Sequence, residues 1–250
     1  MKKHTPKRVL VVGATSGLGR GIAETYISRG CVVGIAARRQ QLLQEVAAGH
    51  PDVYTAVCDV TQPEACVEQL KALVLQMGGM DLLVLSSGVG NQNVVLSYEA
   101  ERPMIETNVV GWTAIVDWAY TYFKEQGFGH LAAISSIAGV RGLAPAPAYS
   151  ASKAFQSHYL EAIRQRAMRT GGRLCVTDIR PGFVLTPLLA NPKQFFWVLK
   201  PEKAVRSIVR AIDRRKGVAT ITTRWAMLVP IMRILPNWLM ALVLVKKDKM

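Results

Sequence analysis

Near its N-terminus the chain reads Val9-Leu10-Val11-Val12-Gly13-Ala14-Thr15-Ser16-Gly17-Leu18-Gly19, an apolar run of strand length followed by a glycine turn and a helix start. Gly13 permits the tight turn, Gly17 lets backbone approach a pyrophosphate, and Gly19 allows close helix packing. Exposed N–H groups and the helix dipole favour an anionic ligand there. The segment therefore predicts a dinucleotide site, with contacts from Gly13, Thr15, Ser16, Gly17, Leu18 and Gly19.

Strand and helix patterns alternate along the rest of the chain. Strand-length apolar runs occur at Val9–Val12, Cys31–Ala36, Val53–Val57, Leu82–Leu85, Leu131–Ile134, Leu174–Ile179 and Val218–Thr222. Helical patterns occur at Leu18–Ser28, Gln40–Ala48, Pro63–Met77, Pro103–Phe123, Tyr149–Arg169 and Pro201–Lys216. This alternation predicts an α/β fold, a doubly wound Rossmann-type parallel sheet of about seven strands with helices on both faces. We expect one catalytic domain over residues 1–224.

Composition narrows the function classes. The chain has 250 residues, half of them hydrophobic, and a net charge of +14. This charge suits an anionic cofactor, an anionic lipid surface or nucleic acid, but no basic cluster with interleaved aromatics or zinc-finger spacing supports nucleic acid. The four cysteines and four histidines lack metal-ligand spacing, so we expect neither a metal nor a disulfide. With no apolar signal region at the N-terminus, the cytoplasm is the expected location.

The tail, residues 225–250, differs from the rest. Trp225–Val245 is very apolar but is interrupted by Pro230, Arg233, Pro236 and Asn237, and its longest charge-free piece, Ile234–Val245, is shorter than the roughly 20 residues of a membrane span. We favour two short helices that cover the substrate cleft or pack on a partner subunit. The alternative is an in-plane membrane contact, assisted by Lys246, Lys247 and Lys249.

Tyr149 and Lys153 lie four residues apart, and therefore on one face of a helix. A phenol has a pKa near ~10, and an ammonium about 4 Å away in a half-buried site could lower it by about three units. Tyr149 could then exchange protons near neutral pH. Together with Ser135-Ser136 upstream, the pair predicts a proton-transfer site.

The second predicted strand ends in Ile35-Ala36-Ala37-Arg38-Arg39. A site specific for NAD would place an acidic residue near Ala37 to bind the ribose 2′-hydroxyl. Guanidinium groups instead match a phosphate. We therefore predict NADP(H) as the cofactor; the alternative is that Arg38 and Arg39 form only a solvated helix start.

Together these motifs resemble the short-chain dehydrogenase/reductase family over roughly residues 7–222. The resemblance rests on Gly13, Gly17 and Gly19, on Asn108, on Ser136 placed upstream of the Tyr149/Lys153 pair, and on Pro181-Gly182-Phe183-Val184-Leu185-Thr186-Pro187. It implies that Asp59 and Val60 contact adenine. It also implies that Pro181, Gly182, Val184 and Thr186 lie at the nicotinamide end.

One segment departs from the family pattern. Where the family often has Asn-Asn-Ala-Gly, this chain has Leu85-Ser86-Ser87-Gly88. Gly88 still allows close approach of a cofactor, and the serine hydroxyls partly replace the missing amides. Ser87 and Gly88 are therefore included among the predicted cofactor contacts.

The resemblance also implies catalytic roles. Tyr149 exchanges the proton with the substrate oxygen, and Lys153 lowers its pKa and holds the nicotinamide ribose. Ser136 hydrogen-bonds the substrate oxygen, and Asn108 positions a water in a proton relay toward Lys153. Many relatives pair through two long helices, so we expect a homo-oligomer, a dimer or tetramer.

The substrate prediction depends on Phe195-Phe196-Trp197-Val198-Leu199, which follows the nicotinamide segment where the family has a mobile lid. These residues either line an apolar pocket or form ordinary core. With the apolar tail they favour a small-molecule substrate that is a hydrophobic carbonyl compound or alcohol. Competing hypotheses are a dinucleotide-binding redox sensor without turnover and a membrane-surface scaffold.

Overall fold

A computed structural model describes residues 6–169, 171, 173–189, 192 and 195–244, with backbone only for 241–244. Within these residues a seven-stranded parallel sheet has the order β3-β2-β1-β4-β5-β6-β7. The strands are β1 Arg8–Val12, β2 Val32–Ala37, β3 Val53–Val57, β4 Leu82–Leu85, β5 Gly129–Ile134, β6 Leu174–Pro181 and β7 Val218–Ile221. Each predicted strand is present, and the predicted fold class is confirmed.

Helices cover both faces of the sheet. The helices of the described residues are α1 Gly17–Ser28, α2 Gln40–Ala47, α3 Pro63–Gln76, α4 Tyr98–Ile105, α5 Trp112–Gln126, α6 Pro147–Met168, α7 Pro201–Asp213, α8 Thr223–Ile234 and α9 Asn237–Leu244. A π-helical segment, Glu106–Gly111, joins α4 to α5, and a short 3₁₀ helix, Ile137–Val140, follows β5.

Alternation along the strands divides the core into two layers. In β1, Leu10 and Val12 face the layer formed with α3, α5 and α6, whereas Val9 and Val11 face the layer formed with α1, α2 and α7. All four side chains are buried. A strand covered on both sides has no polar face, which explains its continuous apolar sequence.

The order of the strands determines where a crevice for a ligand opens at the edge of the sheet. The chain winds outward from β1 to β3 and then returns, so that β4 pairs with β1 on its other side, with Val9 opposite Leu82. At such a reversal the loops leaving the two carboxyl ends diverge and open a crevice. Gly13 and Ser86 directly follow these two strand ends.

One helix boundary differs from the sequence prediction. Pro103 does not begin a helix but lies inside α4, which starts at Tyr98. Pro230, in the tail, likewise lies inside a helix, α8. Proline in a helix removes one N–H donor and crowds the preceding turn, yet packing of the surrounding turns can retain the helix.

The tail helix α8 lies against the domain. Trp225 and Val229 are buried and form a small cluster with Ile137. The guanidinium of Arg141 donates to the carbonyl oxygens of Arg233 (3.0 Å) and Leu235 (2.9 Å), which satisfies acceptors that every helix leaves free at its end. Within the described part of the chain, no helix is long and apolar enough to cross a membrane. The tail lysines, Lys246, Lys247 and Lys249, lie outside the described residues.

Candidate active site

The glycine turn after β1 occupies a narrow space between its neighbours. Gly13 has a φ of +85°, and a Cβ at this position would lie 2.6 Å from the backbone nitrogen of Ser87. Its N–H donates to the carbonyl oxygen of Ala36 at 2.8 Å. Only glycine combines this backbone conformation with this contact, so the turn is fixed between the ends of β2 and β4.

The first turn of α1 is free to bind an anion. Ser16 is the N-cap residue, but its side chain accepts no hydrogen bond from the helix, and the first turn, which includes Leu18 and Gly19, holds no acidic residue. The first N–H groups of a helix have no partner within the helix, and together with the positive end of the helix dipole they favour an anion at this end of α1. Thr186 lies beside this turn, with its Cγ2 3.3 Å from where a Cβ of Gly17 would be.

Arg39 extends from the end of β2 to the same turn. Its Nη2 donates to the hydroxyl oxygens of Thr15 at 2.8 Å and Ser16 at 2.9 Å. Ala37, the last residue of β2, has no carboxylate that could pair with the Arg39 guanidinium. Arg38 lies one residue earlier and is exposed.

Asp59 and Val60 follow shortly after β3. The Asp59 carboxylate accepts from the backbone N–H of Thr61 at 3.0 Å and from its hydroxyl at 2.9 Å. The backbone N–H is the largest reason that the pKa of Asp59 lies below its ordinary value, and Arg38 adds to it. Val60 is buried.

The serines after β4 have different surroundings. The hydroxyl oxygen of Ser87 is buried and has no hydrogen-bond partner within the described residues. Gly88 lies where an added Cβ would be 3.3 Å from Oδ1 of Asn108 and 3.4 Å from Nζ of Lys153. The loop after β4 thus carries a hydroxyl without a hydrogen-bond partner, and it brings a residue without a side chain, Gly88, close to the predicted catalytic residues Asn108 and Lys153.

Asn108 lies in the π-helical segment and is completely buried. Its Oδ1 accepts from the Val89 N–H at 3.0 Å, and its Nδ2 donates to the Val89 carbonyl oxygen at 2.8 Å and to the Ser152 hydroxyl at 3.1 Å. The amide therefore braces the loop after β4 in both directions. A π-helical turn at such a position is frequent at functional sites.

Lys153 is buried on α6, and its ammonium donates to the carbonyl oxygen of Ile134 at 3.1 Å and to Oε1 of Gln156 at 2.9 Å. Burial lowers the pKa of Lys153 to about 8, although the charge of Asp178 acts in the opposite direction. Gln156 in turn donates from Nε2 to the backbone carbonyl oxygen of Asn108 at 2.8 Å. Gln156 is not among the residues predicted from the sequence; its only sequence signal is that it is a polar residue within the buried face of α6.

The Tyr149 ring packs on Gly90, where a Cβ would lie 2.7 Å from the ring. Nζ of Lys153 lies 5.9 Å from the ring centroid. Burial raises the pKa of Tyr149, and a contact with Ser136 acts in the lowering direction. Ile134 and Gln156 hold the ammonium in this arrangement, and the lowering of the Tyr149 pKa by Lys153 stays a prediction.

Ser136 caps the 3₁₀ helix after β5, accepting from the backbone N–H of Ala138 at 3.0 Å. Its hydroxyl is also 3.5 Å from the carbonyl oxygen of Pro181 at the end of β6. The neighbouring Ser135 is buried and donates to Asp178. Of the two serines, Ser136 is the one beside Tyr149.

Aromatic residues surround the segment after β6. A Cβ on Gly182 would overlap the indole of the buried Trp225 on α8, and Val184 pairs with Leu199 in an isolated bridge. Ring-to-ring contacts join an aromatic cluster of five residues: Phe183, Phe195, Phe196, Trp197 and Trp225. The contact between Trp225 and this segment could not be predicted from the sequence, because the two are distant in the chain.

Comparisons of sequence agree with these observations. A family model described as short chain dehydrogenase matches residues 7–195. An uncharacterised oxidoreductase of Myxococcus xanthus is 39% identical over 246 residues, covering 95% of this chain and 96% of the relative. An uncharacterised oxidoreductase of Mycobacterium tuberculosis is 32% identical over 246 residues, with coverages of 93% and 95%.

Solved structures share the fold at lower identity. A 3-ketoacyl-(acyl-carrier-protein) reductase from Brucella melitensis complexed with NADH superposes with a TM-score of 0.76 at 22% identity, covering 86% of this chain and 95% of that one. ElxO with NADP bound superposes with a TM-score of 0.78 at 18% identity, with coverages of 89% and 99%.

Proposed function

The chain belongs to the short-chain dehydrogenase family and is an oxidoreductase, and we propose that it transfers a hydride between NADP(H) and an apolar carbonyl compound or secondary alcohol. The observation that carries the cofactor choice is Arg39, whose guanidinium lies on Thr15 and Ser16 beside the glycine turn. A ribose 2′-phosphate at this place would receive a planar, charged donor.

Several side chains fit a bound dinucleotide. The unpaired N–H groups of α1 would hold the pyrophosphate, and the orphan hydroxyl of Ser87 would gain a partner. An ammonium has three N–H donors, and Lys153 uses two of them on protein acceptors, which leaves one for a ribose hydroxyl. When bound, the nicotinamide supplies or accepts the hydride.

The proton is exchanged by Tyr149 in this proposal. In the reducing direction its hydroxyl gives a proton to the carbonyl oxygen as the carbon gains the hydride, and in the oxidising direction the phenolate takes the alcohol proton. Ser136, adjacent to Tyr149, donates a hydrogen bond to the same oxygen. Asn108 holds the loop after β4 against α6, which keeps Gly88 close to Lys153.

The substrate is proposed to be apolar because the aromatic cluster borders the segment at the nicotinamide end. Phe196 and Trp197 are 54% and 45% exposed, so they present ring faces that an apolar molecule would cover. Trp197 also has a φ of +55°, an unusual backbone conformation for a bulky residue. Such outliers are concentrated in ligand clamps and switch regions.

The experiment is a screen of NADPH and NADH oxidation against aliphatic ketones, 3-oxoacyl thioesters, steroids and quinones. We expect turnover of an apolar ketone, with a higher kcat/KM for NADPH than for NADH. Best turnover on small polar sugars would contradict the substrate class, and preference for NADH would contradict the cofactor. Tight NADPH binding with no turnover on any substrate would favour a non-catalytic redox sensor.

We also propose that the protein is cytoplasmic and forms a homo-oligomer through α5 and α6.

A further part of the proposal is that the protein contacts anionic membranes through its tail. The exposed residues Met227, Ile231 and Ile234 are spaced along one face of α8, and Trp238 continues the apolar surface on α9. Arg224 and Arg233 lie on the same helix, and the whole chain is basic. An apolar helix face beside cations suits the boundary of an anionic bilayer.

A further inference from the structure

The side-chain amide of Gln156 joins two elements of the catalytic site. Oε1 accepts from the Lys153 ammonium at 2.9 Å, and Nε2 donates to the backbone carbonyl oxygen of Asn108 at 2.8 Å. Gln156 is fully buried, with an exposed fraction of 0%. It therefore links α6 to the π-helical segment through one polar group with both ends satisfied.

Burial makes these contacts strong. A buried lysine loses hydration of its charged form, so each acceptor within reach of its ammonium matters more than it would at the surface. Ile134 supplies a backbone oxygen whose position is fixed by β5, whereas Gln156 supplies an oxygen on a side chain that would rotate if Asn108 did not hold it. The bond to Asn108 thus orients the acceptor for Lys153.

Charged groups around Lys153 are few. Of the elements packed against α6, β6 contributes Asp178, whose charge acts on the ammonium, and Arg180 pairs with that carboxylate at 2.6 Å. Tyr149 is the titratable neighbour on α6 itself. Among the described residues, α4, the π-helical segment and the 3₁₀ helix add no charge that acts on Lys153.

We propose that Gln156 is a positioning residue that holds the Lys153 ammonium in place and in its charged form, using the Asn108 carbonyl as its own anchor. The proposal extends the proposed function, since Lys153 must be charged to bind a ribose hydroxyl and to favour the Tyr149 phenolate. Loss of the acceptor makes Lys153 release its proton at lower pH. A carboxylate at the same position has the opposite effect.

The test is a pH titration of Lys153 by NMR in full-length protein labelled with [ε-¹³C]lysine, with Lys153→Met used to assign the signal. Gln156→Met removes the acceptor with little change in volume, and we expect the titration midpoint to fall by about one pH unit. Gln156→Glu keeps an acceptor and adds a negative charge, so the midpoint is expected to rise.

The matched control is Gln126→Met. Gln126 also bridges backbone carbonyls, those of Met80 and Phe128, but it does not contact Lys153. The control should leave the midpoint unchanged. If Gln156 had a merely structural role, the titration midpoint of Lys153 would change in neither Gln156→Met nor Gln156→Glu, or would change in the same direction in both. Either result would overturn the proposal. If Gln156→Met does not fold, Gln156→Ala, which also lacks the acceptor, is titrated in its place, and an unchanged midpoint there would overturn the proposal.

The same variants are then compared in activity. In Gln156→Met the alkaline limb of the kcat/KM profile is expected to move to lower pH by the amount seen in the titration. The NMR readout needs no turnover and no cofactor. A wild-type protein without activity would therefore refute the proposed function, while an unchanged midpoint in a folded Gln156→Met would refute the role of Gln156.

Discussion

The guanidinium of Arg39 lies 2.8 Å from the hydroxyl oxygen of Thr15, a contact that joins the end of β2 to the glycine turn after β1. The pairing of β1 with β2 places Val12 opposite Ala36, so the two strand ends are adjacent although their residues are far apart in the chain. A cation is thereby held at the edge of the turn that is proposed to bind the phosphates of the cofactor.

Arg39→Ala should weaken NADPH without affecting NADH. The variant loses a charge-assisted contact to the 2′-phosphate, so we expect Kd for NADPH to rise by roughly tenfold to a hundredfold, while Kd for NADH stays unchanged. Isothermal titration of each nucleotide measures both. Arg29→Ala is the control, because Arg29 pairs with Asp213 at 2.8 Å at the other end of α1. An equal rise in Kd for NADPH and NADH would show that Arg39 does not recognise the 2′-phosphate.

Tyr149→Phe should abolish turnover and leave NADPH binding intact. The change removes only the hydroxyl, and loss of a positioned proton donor lowers kcat by about a hundredfold or more. Steady-state kinetics and nucleotide titration are measured on the same preparation. Tyr159→Phe, further along α6, removes a hydroxyl that bonds to Asp117 and should retain wild-type kcat. Near-normal turnover in Tyr149→Phe would eliminate it as the proton donor.

Gly182→Ala should destabilise the fold around α8. The added Cβ would overlap the indole of Trp225, which is 3% exposed and has little room to move. Overpacking of this kind reduces the free energy of unfolding by about 1–3 kcal/mol. Gly142→Ala adds a methyl group in open space and should change it by less than about 0.5 kcal/mol. Urea unfolding compares the two, and equal midpoints would mean that Trp225 does not pack there in solution.

Acid should destabilise the protein partly through His130. This residue is 5% exposed, its Nε2 lies 2.8 Å from the Thr177 hydroxyl, and burial lowers its pKa to about 3. Between that value and about 6.5 the unfolded chain binds the proton and the folded chain does not, so the free energy of unfolding falls as pH falls.

At pH 5 this one group should cost about 2 kcal/mol relative to neutral pH. His130→Asn should therefore show a shallower decline in the free energy of unfolding from pH 7 to pH 5. His158→Asn alters an exposed histidine and should retain the wild-type slope. A wild-type slope in His130→Asn would contradict the proposed effect of burial on this side chain.

The apolar face of α8 should bind anionic vesicles. Ile231 and Ile234 are 50% and 81% exposed, and replacing both with Glu removes apolar contact and adds repulsion, which should weaken binding by about tenfold or more. Flotation with phosphatidylglycerol vesicles measures this, with phosphatidylcholine vesicles as the neutral comparison. Leu75→Glu alters an equally exposed residue on α3 and should float like the wild type. Flotation of the double variant at wild-type levels would show that α8 is not the contact.

Most of the fold could be predicted from local patterns. The strand runs, the glycine turn and the helix carrying Tyr149 and Lys153 are each encoded within a few neighbouring residues. The helix predicted to begin at Pro103 in fact begins at Tyr98, because a helix end depends on the packing around it as well as on the proline. Part of the site was also missed, since Gln156 becomes informative only when Asn108 lies opposite it.

By itself the sequence determined the α/β class, the parallel sheet and the order of the functional motifs, because strand and helix periodicity and glycine turns act over short distances along the chain. Only the packed structure shows that Gln156 and Ile134 hold the Lys153 ammonium, that Arg39 lies on Thr15, and that Trp225 covers Gly182. These contacts depend on how helices settle on the twisted sheet. Their distances, and hence the electrostatics of the site, are fixed only when the core is packed.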